Sequence, residues 1–249
     1  MRTIPTLALV ALLAASIGAP AQGVPEPVDL ELVLLADATG SIDETEIRLQ
    51  RQGYADAMVD PEVLFAIANG GSDGRIAVTY VEWAGAASQD VVVDWMVVDG
   101  EASAQAFGAA LLAAPRRAFG SNAIGAALLK GKDLIETNDY EGWRKVIDLS
   151  GDSARNPLGP PIAVARDAVL GAGIVVNGLA ILCRAPCSGR PRGGDLEAEY
   201  QDQVIGGPGA FVVTADGDRS FAQAVRRKLI LEIADLGRLV TEGERPGRF

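Results

Sequence analysis

Histidine is absent from this 249-residue sequence, and cysteine occurs only at Cys183 and Cys187. Without an imidazole, Ser-His-Asp and Cys-His nucleophilic catalysis are excluded. Zinc is disfavoured as well, because two cysteines with no histidine and no further cysteine leave four ligands incomplete. A Gly-x-Ser-x-Gly elbow and a phosphate-cradling P-loop are also missing. Positive charge is scarce: 22 Lys and Arg stand against 33 Asp and Glu, a formal net charge of −11. Such a chain repels phosphates, so nucleic acid or an anionic membrane surface is disfavoured as the main partner, while cations or basic surfaces suit it. Beyond the N-terminus, charges or glycines interrupt every hydrophobic run. None therefore reaches the ~20 apolar residues of a spanning helix, and no stable membrane insertion is expected.

What is present reads as a globular domain. Hydrophobic residues make up 49% and charged residues 22%, a balance that supports a substantial core. The length fits one large domain. At the N-terminus, Arg2 precedes a short apolar run, Leu7 to Ile17, and the small-residue pattern Ala19-Pro20-Ala21, which together read as a secretory signal. The expected organisation is a signal peptide over 1–21, a domain over 22–236 and a loose tail over 237–249, with the mature protein periplasmic or secreted. In an oxidising compartment a small-loop disulfide between Cys183 and Cys187 is expected, with two free thiols or half of a zinc site as the alternatives.

Val28 to Ala36 begins with alternation and becomes continuously apolar, as a strand in the middle of a covered parallel sheet does. A helix follows, with Ile47, Tyr54 and Met58 on one face and Asp43, Glu44 and Glu46 as a solvated first turn. Arg75 to Trp83 and Asp90 to Val98 read as a hairpin that supplies an antiparallel edge strand. Helices are expected over Ala102 to Ala114, Ala123 to Glu136, Pro160 to Leu170, near Leu196 to Val204, and from Arg219 to about Leu236. Strands are expected over Lys145 to Leu149, Ile174 to Leu182 and Ala210 to Val213. This alternation predicts an α/β, doubly wound, mostly parallel sheet with helices on both faces. Ligands in such sheets gather beyond the carboxyl ends of the strands, where the strand order reverses, which directs attention to the turns after Ala36 and after Leu149.

Asp37-Ala38-Thr39-Gly40-Ser41 places one carboxylate and two hydroxyls at alternate positions of a tight turn, and Asp152 in the second turn adds another carboxylate. Oxygen donors of this kind suit a hard cation such as Mg²⁺ (or Mn²⁺/Ca²⁺), which keeps several waters and accepts one or two carboxylates. The competing reading of the first turn is that Asp37, Thr39 and Ser41 merely cap the helix that follows.

Asp-x-Thr-x-Ser after an apolar strand resembles the Asp-x-Ser-x-Ser signature of von Willebrand factor A (vWA) domains, and Ser150-Gly151-Asp152 is similar to the aspartate turn after their fourth strand. The run from Val146 to Asp152 and the exported, stand-alone layout resemble an exported bacterial branch catalogued as a domain of unknown function. The resemblance implies a Rossmann-like vWA fold, a metal-ion-dependent adhesion site (MIDAS) and a protein partner whose carboxylate fills the open metal position. Carried over residue by residue, it makes Thr39 and Ser41 direct ligands, with Asp37 and Asp152 binding directly or through water. The family's later threonine position holds Asn122, with Ser121 beside it; an amide carbonyl or a neighbouring hydroxyl stands there instead. That departure keeps open a metal-free structural or assembly protein with a degenerate site. A Mg-dependent phosphotransfer enzyme acting through Asp37 is the remaining alternative, and Lys145, at the start of its strand, is poorly placed to assist it.

Overall fold

The computed structural model describes residues 24–182, 195–216 and 218–234. The expected signal peptide, the Cys183–Cys187 pair and the expected tail lie outside them. The element order is β1 (Glu26–Asp37), α1 (Glu44–Met58), α2 (Pro61–Asn69), β2 (Ile76–Trp83), β3 (Gln89–Val98), α3 (Glu101–Ala113), α4 (Ile124–Glu136), β4 (Tyr140–Gly151), α5 (Ile162–Gly171), β5 (Val175–Leu182), α6 (Leu196–Gln203), β6 (Val212–Asp216) and α7 (Asp218–Ile233). The sheet order is β3-β2-β1-β4-β5-β6. β2 and β3 pair antiparallel and the other neighbours pair parallel. The expected doubly wound sheet with one antiparallel edge strand is thus the fold. The chain leaves β1 towards β2 and β3, then returns to β4 on the other side of β1, so the strand order reverses between β1 and β4.

β1 is buried on both faces, which is why its sequence loses alternation. Leu30, Leu32, Leu34 and Ala36 pack with Tyr54, Met58, Ile67, Phe107 and Leu229 from the helices of one layer. Val33 and Leu35 face the other layer and pack with Ile124, Leu128, Ala165 and Tyr200. The odd positions of β1 therefore lead, at the strand's end, to Asp37 in the middle of the sheet's upper rim.

One helix and two strand boundaries stand out against the sequence expectation, each for a local reason. α2 was not foreseen, although Asp60 caps it and Pro61 opens it, a start signal in which the missing proline N–H costs nothing. β4 begins at Tyr140 because Glu26 to Leu30 of β1 offer it backbone partners; the polar stretch before Lys145 carries no strand pattern of its own. β6 runs over Val212–Asp216, later than expected, in register with Gly178 to Leu182 of β5.

The core also holds a charged cluster. Lys228 of α7, 1% exposed, pairs with Asp148 of β4 at 2.7 Å and with Glu232 one turn along its own helix. Asn177 of β5 donates to Glu232 Oε1 at 3.0 Å. Burial pushes the Asp148 carboxyl up to about 7, against the opposing pull of Lys228. Replacing Lys228 with Met strands two buried carboxylates. The expected loss is about 3–5 kcal/mol of unfolding free energy, read by urea denaturation. The loss should be larger at about pH 8 than at about pH 5, because an uncompensated buried carboxylate is tolerated by taking up a proton.

Candidate metal site

The turn after β1 is built by backbone contacts that leave its polar side chains grouped. The Ala38 N–H donates to the Trp83 carbonyl at 2.9 Å, and the Gly40 N–H to the Gly120 carbonyl at 2.9 Å. Gln50 of α1 donates to the Asp37 carbonyl at 3.1 Å. Within the turn, the Thr39 N–H donates to Asp37 Oδ1 at 2.8 Å, and the Thr39 and Ser41 hydroxyl oxygens lie 3.1 Å apart. α1 is capped by Asp43, which accepts from the Thr45 and Glu46 N–H groups while Glu46 accepts from the Asp43 N–H. A complete capping box thus stands on the residues expected to form a solvated first turn. Asp37, Thr39 and Ser41 do not serve as the cap.

The end of β4 closes on this turn from the side. Trp83 Nε1 donates to the Ser150 carbonyl at 3.1 Å, and the Ser150 hydroxyl to the Leu35 carbonyl at 3.3 Å. The Asp152 N–H then lies 3.4 Å from Asp37 Oδ2 as its donor. Gly151 makes the approach possible. A Cβ there would sit 2.8 Å from the Tyr200 hydroxyl, 3.0 Å from Asp37 Oδ2 and 3.1 Å from the Trp83 ring.

Four of the six expected site residues, Asp37, Thr39, Ser41 and Asp152, are therefore brought together at the ends of β1 and β4. The loop carrying Ser121 and Asn122 is tied to the first turn through Gly120, whose φ of +135° suits glycine. Ser121 is exposed and Asn122 half-buried beside it. Sequence reasoning missed the residues that brace the site, Gln50, Trp83, Gly151 and Arg116. The Arg116 guanidinium donates to the Ala38 carbonyl at 2.9 Å, pairs with Glu44 at 3.4 Å and lies 4.8 Å from the centre of the Phe119 ring. Only Trp83 had a usable signal, standing at the end of its strand level with Asp37. Arg116 reaches across 78 positions of sequence, and no spacing rule finds it.

Electrostatically the site is a buried acidic pair. Asp37 is fully buried and Asp152 is 2% exposed. Burial, and then the charge of Asp152, push the Asp37 carboxyl up to about 7, against the pull of the Thr39 and Asp152 N–H groups. A divalent cation would relieve this strain directly. The donor set of two carboxylates and two hydroxyls is all oxygen, and the described residues contain no group of three or more His, Cys, Asp and Glu placed to hold a metal. It therefore fits a hard ion that retains water better than an ion needing a full protein cage.

A family model described as a protein of unknown function (DUF1194) matches residues 27–237. The chain belongs to the DUF1194 family. Comparison with curated proteins gives no match. Among solved structures, this DUF1194 chain is similar to proximal thread matrix protein 1 from the mussel byssus. Identity is 16% and the TM-score 0.57, over 84% of this chain and 47% of that one. A form of that protein described as having a zinc-occupied MIDAS motif aligns over 85% and 47% with the same identity and TM-score. The SpaC pilus adhesin of Lactobacillus rhamnosus GG aligns at 14% identity and TM-score 0.54, over 85% and 30%. The DUF1194 chain thus spans about half or less of the length of these proteins. Its fold is that of a vWA-type domain.

Two outcomes follow from the geometry. In chelator, the metal-free protein should lose stability as pH rises from about 4 to about 7, because the folded state holds a proton on Asp37 that the unfolded chain has released. The contribution is at most about 1.4 kcal/mol per pH unit. Asp37→Asn should remove it, as read by denaturation midpoints across that range. Gly151→Ala should cost about 1–3 kcal/mol by overpacking against Tyr200, Asp37 and Trp83, measured by thermal unfolding.

Proposed function

We propose that this chain is an exported protein-binding module that holds a divalent cation at a MIDAS-type site and engages a carboxylate of a protein partner through it. Asp37, Thr39, Ser41 and Asp152 would hold the ion, Mg²⁺ or alternatively Mn²⁺ or Ca²⁺, with Asn122 or Ser121 contributing from the third loop. Bound there, the ion supplies a Lewis-acidic position for an external oxygen ligand. The protein's own part is to keep the two carboxylates adjacent and dry, fix the two hydroxyls beside them and leave the outer side open. The observation that carries the reading is the 3.4 Å approach of the Asp152 N–H to Asp37 Oδ2, which makes one site out of two turns 115 residues apart.

Three further points support it. The capping role that would have explained the first turn belongs to Asp43. The phosphotransfer alternative gets no help from Lys145, which pairs with Glu31 at 3.3 Å, six residues back along β1 from Asp37 and about 20 Å away at strand rise. Export fits the structural neighbours, which include a pilus adhesin and a byssal thread protein, and no described helix is long and apolar enough to cross a membrane. A metal-free assembly protein is the second reading, favoured by Asn122 at the third-loop position.

Calorimetric titration with Mg²⁺ and Mn²⁺ separates the two. One ion should bind per chain, and binding should be lost in Asp37→Ala and weakened in Ser41→Ala. At an ion concentration of about 100 times Kd, the gain in stability should be about 2.7 kcal/mol. An absence of binding, or binding unaffected by Asp37→Ala, would leave the metal-free reading standing.

A further inference from the structure

Backbone carbonyls around the candidate site are taken by donors of the protein itself. Gln50 donates to the Asp37 carbonyl at 3.1 Å, and the Trp83 ring N–H to the Ser150 carbonyl at 3.1 Å. The Gly120 carbonyl accepts the Gly40 N–H at 2.9 Å. One nitrogen of the Arg116 guanidinium lies 2.9 Å from the Ala38 carbonyl and 3.4 Å from the Thr39 carbonyl, and the latter also accepts the Ile42 N–H at 3.0 Å. The successive carbonyls of Asp37, Ala38 and Thr39 are thus all engaged, whereas the Thr39 and Ser41 hydroxyl oxygens are left side by side.

Arg116 is the charged member of this set of donors. Its side chain is 9% exposed and meets Glu44 at 3.4 Å, and its Nε lies 3.4 Å from the Ala118 carbonyl. The guanidinium is therefore held at once by the start of α1, by the first turn and by its own loop. A carbonyl that accepts one hydrogen bond keeps a second lone pair. At Ala38 or Thr39, however, a dication on that lone pair would share the oxygen with a permanent positive charge, and the repulsion is strong where water is scarce. Electrostatics closes these two oxygens to a metal. The Asp37 carbonyl is closed less strictly, because Gln50 is neutral.

Ions differ in how much this costs them. Ca²⁺ takes roughly six to eight oxygens and recruits backbone carbonyls readily, whereas Mg²⁺ is octahedral and keeps several waters. We infer that Arg116 is the specificity-determining residue of this site: by closing carbonyls of the first turn it leaves an ion only side-chain oxygens and water, a shell that suits a small octahedral dication and leaves Ca²⁺ under-coordinated. The inference rests on the metal-dependent reading above and adds to it the residue that selects the ion.

Calorimetric titration of the full chain with Mg²⁺ and with Ca²⁺ tests it. The wild type should bind Mg²⁺ about tenfold more tightly than Ca²⁺. Arg116→Met should narrow that ratio by about tenfold, chiefly through tighter Ca²⁺ binding, the scale on which groups behind metal ligands act. A merely structural role would weaken both ions together and leave the ratio where it was. Arg116→Gln, neutral but still able to donate a hydrogen bond, is the second variant should Arg116→Met not fold, and it should narrow the ratio in the same direction. Ca²⁺ binding to the wild type as tight as Mg²⁺ binding or tighter, or a ratio unchanged in a folded neutral variant, would overturn the inference with the metal site intact. Binding of neither ion to the wild type would instead remove the metal-dependent reading and this inference with it.

Discussion

The structure turns on two carboxylates forced close together where water cannot reach them. Asp37 ends β1 and Asp152 directly follows the end of β4, its parallel neighbour, at the point where the sheet changes direction, and burial of Asp37 leaves its charge poorly solvated. Groups in that position cost stability unless something compensates them. Here the partial compensation comes from backbone N–H groups, those of Thr39 and Asp152, both directed at Asp37. A fold that spends stability in this way at a strand terminus has concentrated strain where α/β sheets place their ligands.

The rest of the molecule supports that arrangement by removing freedom from it. Trp83 spans from β2 to the Ser150 carbonyl, Gln50 fixes the Asp37 carbonyl from α1, and Gly40 and Gly120 join the first turn to the third loop. Gly151 allows β4 to approach because a methyl group would strike Asp37 itself. The sheet is tied to α7 by the buried ion cluster of Lys228, Asp148 and Glu232, which locks that helix to β4. Asp148 lies on β4 and Asp152 directly follows its last residue, Gly151, so the clamp on α7 and the candidate site are joined through one strand.

How much of this was legible beforehand differed from element to element. β1 and β5 could be read because a strand buried on both faces shows as an uninterrupted apolar run. α1 could be read from its apolar face and acidic start. α2 was overlooked despite its Asp-Pro opening, since it is short and follows α1 almost without a break. The first five residues of β4 could not be read at all, because their strand state comes from pairing with β1 and leaves no apolar pattern. Of the site, the turn containing Asp37, Thr39 and Ser41 was visible as a spacing, whereas the bracing by Arg116 was not.

The sequence by itself determined the alternation of strands and helices, the acidic balance, the exclusion of histidine chemistry and the two oxygen-bearing turns. These are local properties, set by the period of apolar residues and by residue type within a few positions. Only the tertiary structure decided that Asp43 caps α1, so that Asp37, Thr39 and Ser41 are left for another purpose, and that Asp152 meets Asp37 across a parallel strand pair. Such contacts depend on register and on which strands become neighbours. Register and neighbour choice are settled by packing the whole sheet between its two helical layers, a constraint that no short stretch of sequence carries.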